Sequence, residues 1–447
     1  MPACPALFLS APASGQGKTT ISAFIARWLR NQGLRVRVFK TGPDYLDPQI
    51  LQQASGQPVE QLDIWMCGET YCRERLALAA ASNDLILIEG AMGMFDGNPS
   101  SADLAALFNI PVAVIMDVSG MAQTAAALVN GLAMQRADVR VAGLIANRCG
   151  SQYHADLIRD ALPDSIPLLF SLQRNDEVTL PERHLGLVQA CEIADELEPI
   201  FERGAALLAH LNARDFLALA PVVEFHAPVQ SRDAETLSAK APLAGKTIAI
   251  ARDAAFSFIY SANTGLLETL GAELRYFSPL TDAHIPPADA LWLPGGYPEL
   301  HAHTLQANHS MRQSLREFHQ SGKPILAECG GFLYCLEQLT QLDGTSLQMA
   351  GLLPGTGVMR DRGGCQGMQT ALLPEGEVRG HAHHRSAASG LPEALSHARR
   401  SRHPAPGEAM YRVGSLTAGY LHLFFPANPQ AIADLFSGAV QAEPAQL

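Results

Sequence analysis

The chain has 447 residues, 47% hydrophobic and 17% charged, which is too long for one ordinary core and fits a folded protein of two domains, not a disordered chain. Its 32 Lys and Arg against 44 Asp and Glu leave a net charge of −12, which argues against non-specific nucleic-acid binding and against attraction to anionic membranes. The 8 cysteines follow neither a finger-type zinc spacing nor a disulfide framework, no apolar run is long enough for a membrane span, and the amino terminus lacks the charged region of a signal peptide, so a cytoplasmic protein is expected.

In chain order, ALFLSAP reads as a first strand and Thr19 to Asn31 as an amphipathic helix. RVRVFK, DLILIEG, PVAVIMDVSG and VAGLIANR follow as further strands. Near-continuous apolar runs of this kind are buried on both faces, which predicts an α/β domain with a parallel sheet between helical layers, covering residues 1–220. Residues 221–246 are rich in Pro, Ala and polar residues without periodicity and read as a linker. A second α/β domain over 247–447 is predicted from TIAIARD, ELRYFSPL, ALWLPGG, PILAECGG and LTAGYLHLFF, with the stretch from Leu353 to Pro406 read as loop-rich.

The loop APASGQGKTT sits between the first strand and first helix. Gly15 and Gly17 leave its backbone open, so amides converge on phosphate oxygens, Lys18 reaches the β and γ phosphates, and Thr19 offers a hydroxyl to Mg²⁺, with Thr20 beside it on the helix. Pro12 stands where the usual phosphate-loop pattern has its first glycine. Acids at neighbouring strand ends are the expected companions of a Mg²⁺–nucleotide site: Glu89 and Asp96 in EGAMGMFDG, and Asp44 and Asp47 with Lys40 in KTGPDYLDP. Asn147, at a fourth strand end, is either a contact to the nucleotide base or a turn residue.

PILAECGGFLYCL places Cys329 on a tight strand–turn–helix bend flanked by small residues. Such a bend lifts a nucleophile above the sheet, and a helix N-terminus favours the thiolate. A thiol nucleophile needs a base, for which His422 ends a late apolar strand, and its tetrahedral intermediate needs donors, for which the amides of Gly295 and Gly296 in LPGGYPEL are candidates. His381, His383 and His384 lack the companion ligands of a metal site.

Together the phosphate loop, KTGPDYLDP, EGAMGMFDG, LPGGYPEL, AECGGFLY and YLHLFFPANP resemble, in order and over nearly the whole chain, the cobyrinate or hydrogenobyrinate a,c-diamide synthases of cobalamin (vitamin B12) biosynthesis. The resemblance implies a dethiobiotin-synthetase-like ATP domain joined to a class I-like glutamine amidotransferase domain. It implies a C–N ligase whose small-molecule substrates are ATP, glutamine and a corrinoid polycarboxylate, with Mg²⁺ as the cofactor of ATP. Cys329 with His422 would release ammonia from glutamine. Gly15, Gly17, Lys18 and Thr19 would hold the triphosphate, and Thr19, Glu89 and Asp47 the Mg²⁺. Lys40, Asp44, Tyr45 and Asp96 would lie on the substrate and acyl-phosphate side. Phe424 stands where ordinary class I amidotransferases carry the Glu of a triad, a Glu that the resembled family also lacks, so something else orients His422 or the pair acts as a dyad. GHAHHRS matches the family's G-x-x-x-H-x-S stretch near the amidotransferase pocket.

The nearest rivals are sister enzymes, cobyric acid synthase and nickel-sirohydrochlorin a,c-diamide synthase. A ParA/MinD-type regulatory ATPase is disfavoured because Ala13 replaces its additional lysine and because such a switch has no use for Cys329. A homodimer is compatible with the sequence.

Overall fold

The computed structural model describes residues 2–183, 186–187, 193–226, 240–364 and 366–439. The chain forms two compact units, residues 1–229 and 230–447.

In the first unit, seven parallel strands lie in the order β3-β2-β4-β1-β5-β6-β7. They are β1 (Ala3–Ser10), β2 (Val36–Thr41), β3 (Glu60–Leu62), β4 (Leu85–Glu89), β5 (Val112–Asp117), β6 (Val141–Cys149) and β7 (Leu168–Gln173). All five residues of β4 are buried, as its unbroken apolar run requires when helices cover both faces of the sheet. The chain order reverses between β4, β1 and β5, so the carboxyl ends of β1, β2 and β4 open one crevice. Helix α1 (Lys18–Asn31) begins one residue before the expected start and packs Ile21, Phe24, Ile25, Trp28 and Leu29 into the core.

The first residues of the expected linker are ordered differently from that reading: Val222–Glu224 is a strand antiparallel to the start of β1. Val223 is buried there, which gives this short apolar pair a partner the local sequence does not announce. Residues 227–239 of the same segment lie outside the described residues.

The second unit holds a ten-stranded sheet. Its first five strands, Glu273–Phe277, Thr247–Ala251, Ala290–Leu293, Ile325–Glu328 and Leu416–Gly419, are parallel neighbours in that order. The expected strand LTAGYLHLFF breaks into Leu416–Gly419 and His422–Leu423, which occupy the fifth and the tenth places.

The reading of 353–406 as loop is corrected. Strands Thr356–Met359, Gln366–Leu373, Gly376–His383, Ser386–Ser389 and Ser396–Arg400 occupy most of it, in antiparallel pairings. The clusters of Gly, Arg and His concealed them, because Gln366–Leu373 buries its residues in an irregular pattern and not by strict alternation.

Candidate active site

The phosphate loop turns on two glycines in the left-handed region, Gly15 at φ +77 and Gly17 at φ +89. Gly17 is also hemmed in, since a Cβ there would run into the Asn147 amide. Lys18 is buried at the head of α1 and donates to the Met92 carbonyl at 2.6 Å. Burial, with the Lys40 charge added, pulls its ammonium below the usual lysine range. The Thr19 hydroxyl donates to Glu89 Oε1 at 2.9 Å, and Thr20 follows half-buried on the helix.

Glu89, fully buried at the end of β4, is the hub of the site. Its Oε1 also accepts from Lys40 Nζ at 2.6 Å, and Lys40 donates at 2.6 Å to Asp47 Oδ2 while lying 4.0 Å from Asp44. Burial opposes the Lys40 charge, but Asp47, Glu89 and Asp44 outweigh it and hold the ammonium up. Burial likewise opposes the Asp47 carboxylate, and Lys40 more than offsets it. Burial, then the Asp47 charge, pushes the Asp44 carboxyl up. Tyr45 precedes the helix Leu46–Ser55, next to these acids.

Glu89 Oε2 is buried with no hydrogen-bond partner. An ionised oxygen left so, next to the Thr19 hydroxyl, fits a cation ligand. Among the described residues there is no group of three or more His, Cys, Asp or Glu placed to hold a metal by itself. A nucleotide-bound Mg²⁺ does not need one, because phosphate oxygens and water complete its shell.

Asp96 is exposed and its Oδ2 accepts the Gly93 amide at 3.1 Å, which closes its own loop. Asn147 lies against the phosphate loop, its Nδ2 donating to the Gln16 carbonyl at 3.0 Å. Gln16 in turn accepts the Asp117 amide through Oε1 at 2.8 Å, and Arg148 pairs with Asp117 at 2.7 Å. Sequence reasoning passed over Gln16, Asp117 and Arg148; the strand-end position of Asp117, matching that of Glu89, was the available signal.

In the second unit Cys329 follows Ile325–Glu328 and opens the short helix Gly330–Cys335 with φ +46 and ψ −100. A non-glycine residue in this conformation is strained, by about 1–3 kcal/mol. Its amide donates to the Gly419 carbonyl at 2.8 Å, which fixes the bend on the neighbouring strand. A Cβ on Gly330 would come within 2.8 Å of the Gly296 amide nitrogen, and one on Gly295 would overlap the His422 ring. Gly295 and Gly296 therefore lie between the helix that Cys329 opens and the His422 ring.

Glu328, which sequence reasoning also missed, accepts the Trp292 indole at 2.9 Å and the Leu423 amide at 2.7 Å. The signal was a carboxylate closing the apolar strand PILAE. Phe424 is buried and its amide donates to the Arg379 carbonyl at 2.8 Å, so an apolar side chain and not an acid occupies that place.

The expectation that the helix N-terminus favours the Cys329 thiolate is outweighed. Burial, then the Glu299 charge, pushes the thiol up, and the Gly330 amide recovers only part of this. Burial, then neighbouring His381, pulls His422 down to about 3, so the imidazole is neutral and able to accept a proton. Cys335 is buried in the following helix and raised by burial alone. The cysteines among the described residues are free thiols.

His384 lies in the two-residue connection between the strands Gly376–His383 and Ser386–Ser389, where its Nδ1 bonds the Ser386 carbonyl at 2.9 Å and its Nε2 bonds Glu408 at 3.1 Å. Among the described residues no helix is long and apolar enough to cross a membrane.

Residues 7–188 match the family described as the CobQ/CobB/MinD/ParA nucleotide binding domain, and residues 247–430 match the CobB/CobQ-like glutamine amidotransferase domain. Among curated relatives, a hydrogenobyrinate a,c-diamide synthase of Stutzerimonas stutzeri is 49% identical over 97% of this chain and 98% of its own length. One of the same description from Pseudomonas aeruginosa is 48% identical over 98% and 99%. A cobyrinate a,c-diamide synthase of Herminiimonas arsenicoxydans is 47% identical over 98% and 97%.

Proposed function

The chain belongs to the hydrogenobyrinate and cobyrinate a,c-diamide synthase family, and from that premise we propose which residues carry each half of its reaction. It amidates the a and c acetate carboxylates of a corrinoid acid, cobyrinate or hydrogenobyrinate, at the expense of ATP and glutamine, in cobalamin biosynthesis.

In residues 247–447, neutral His422 takes the Cys329 proton as the sulfur attacks the glutamine carboxamide carbon. The C–N bond breaks, ammonia leaves with that proton, and water hydrolyses the thioester to glutamate. The Gly295 and Gly296 amides stand on the side from which an oxyanion would be stabilised. In residues 1–220, the carboxylate oxygen attacks the γ-phosphorus of ATP and ADP leaves. Ammonia then displaces phosphate from the acyl phosphate. Activation is required because a carboxylate is a poor electrophile with a poor leaving group.

Lys18 and the loop amides bind the phosphates, and Lys40, held between Asp47 and Glu89, stands on the acyl-phosphate side with Asp44, Tyr45 and Asp96. Mg²⁺ would be held by Thr19, Glu89 and Asp47 together with phosphate oxygens, and when bound it offsets their charge. Asn147 lies at the strand end where a base contact is expected. We place the enzyme in the cytoplasm.

The observation that carries the reading is the conformation of Cys329, a left-handed non-glycine residue spending strain to display its sulfur on a bend. The test offers ATP, Mg²⁺ and either glutamine or ammonium with cobyrinate and hydrogenobyrinate in parallel, following product mass. Cys329→Ala should abolish glutamine use and retain ammonium use; a folded variant that loses both overturns the division. Lys18→Ala should stop both; full ammonium activity overturns its role.

A further inference from the structure

The contacts of His384 engage both of its ring nitrogens. Nδ1 lies 2.9 Å from the Ser386 carbonyl and Nε2 lies 3.1 Å from a Glu408 carboxyl oxygen, which accepts when Glu408 is a carboxylate. A neutral imidazole has one N–H and satisfies one such partner; the imidazolium satisfies both. His384 is buried at 8% exposed, and the Glu408 side chain is half-buried at 13%. The Glu408 amide is itself fixed by Gln369 Oε1 at 2.7 Å.

This ion pair reaches the nucleophile through one aromatic ring. The His384 ring stacks on Tyr420 with centroids 3.7 Å apart and planes within 6°. The Tyr420 hydroxyl accepts from Ser386 Oγ at 3.1 Å. Tyr420 follows Gly419, whose carbonyl holds the Cys329 amide, and packs edge-on at 5.0 Å against Phe332 of the helix that Cys329 opens. After burial, Glu299 and Glu328, the Glu408 charge adds to what opposes the Cys329 thiolate.

We propose that His384 is a positioning residue of the glutaminase centre: its imidazolium cancels the Glu408 charge beside Cys329, and its ring clamps Tyr420 against the nucleophile's helix. The reason to bury a cation here is the reaction itself. Cys329 must become a sulfur anion in the transition state within a site already carrying carboxyl groups at Glu299, Glu328 and Glu408. An unopposed Glu408 would raise the cost of that anion. The remaining titratable neighbours are His383 and His422 around His384, and Tyr411, which stacks on Phe332 and feels Glu408.

The proposal rests on Cys329 as the nucleophile, which Cys329→Ala tests separately through the two nitrogen sources. His384 is tested on the full chain by the rate of iodoacetamide alkylation at Cys329, located by peptide mass, across pH 6 to 10, alongside kcat/KM for glutamine. His384→Gln should slow alkylation at neutral pH by about tenfold, one unit of thiol pKa, and lower kcat/KM in step while ammonium-dependent turnover reports an intact fold. His384→Gln/Glu408→Gln should recover most of the alkylation rate, and Glu408→Gln alone should alkylate no more slowly than the unmodified protein. Wild-type alkylation in His384→Gln overturns the proposal. So does a double variant as slow as the single one, which would leave only a packing role, or slow alkylation in Glu408→Gln. If His384→Gln does not fold, Glu408→Gln decides alone.

Discussion

Glu328 Oε1 accepts the Leu423 amide at 2.7 Å, joining the residue before the candidate nucleophile to the residue after the candidate base. With Phe424 where an amidotransferase triad would have its acid, this bond anchors the backbone immediately after His422. Burial pushes the Glu328 carboxyl up to about 8, against the pull of the Leu423 amide and the Trp292 indole.

Both Glu328 oxygens accept from N–H donors, so Glu328→Gln must turn its own NH₂ towards one of them. A buried hydrogen bond is then lost and a donor orphaned, costing about 1–3 kcal/mol. The loss should fall on the placement of His422: glutamine-dependent turnover should drop at least about tenfold, one factor of 1.4 kcal/mol in the barrier, while ammonium-dependent turnover stays within twofold or so. Steady-state kinetics with the two nitrogen sources check this, and unchanged kcat/KM for glutamine would remove the orienting role.

The Glu328–Leu423 bond spans 95 positions, and periodicity carries no information at that separation. The sequence showed the ingredients of both sites because strand ends, glycines and acids announce themselves locally. Thus Lys18, Glu89, Cys329 and His422 are candidates that spacing alone puts forward, with Glu89 at the end of an apolar run and Cys329 on its bend. Lys40 was found too, but its partners were not, since the pairing with Glu89 depends on β2 lying beside β4 with Lys40 in register with Glu89. His384 and Glu408 were hidden more deeply, one just past the end of the strand Gly376–His383 and the other within Pro406–Val413, in a stretch whose Gly, Arg and His content reads as loop.

The resting charge states predict a pH dependence. His422, at about 3, stays neutral across the working range, and Cys329 begins as a buried thiol pushed up by its surroundings. Alkylation of Cys329 without glutamine should therefore keep rising with pH beyond 9 and not level off near neutrality. Ionisation of Glu299, at about 7, and of Glu328, at about 8, should flatten the rise over that interval by opposing the thiolate. A plateau reached by pH 7 would instead mark a preformed thiolate–imidazolium pair. The His422 sign for stability is the reverse of a paired histidine: its folded value lies below the ordinary 6.5, so it withdraws stability as pH falls from about 6.5 towards 3.

Gly295 gives a steric test of the same centre. A Cβ there would overlap the His422 ring, and the strand behind it is fixed by the Phe258 amide donating to the Gly295 carbonyl at 3.0 Å. Gly295→Ala should displace the imidazole and lower glutamine-dependent turnover by about 10²-fold, the scale for a reacting group moved by an ångström, with ammonium use retained. Equal activity with glutamine in the variant would show that the ring has room to move without cost to the reaction.

The buried hub of the nucleotide site separates two roles that a simple loss of activity would merge. Glu89 uses Oε1 for Lys40 and Thr19 and leaves Oε2 without a partner, so Glu89→Gln should chiefly disturb a cation, whereas Lys40→Met removes the positive partner of two carboxylates. Breaking such a pair from one side costs about 3–5 kcal/mol, so Lys40→Met should lower the melting temperature measurably and abolish amidation with either nitrogen source. Glu89→Gln should weaken binding of a non-hydrolysable ATP analogue by tenfold or more, about 1.4 kcal/mol, in Mg²⁺ but leave its binding in EDTA nearly unchanged. Titration calorimetry under the two conditions reads this difference. Equal weakening with and without the metal would mean that Glu89 shapes the phosphate loop through Thr19 and does not serve the cation.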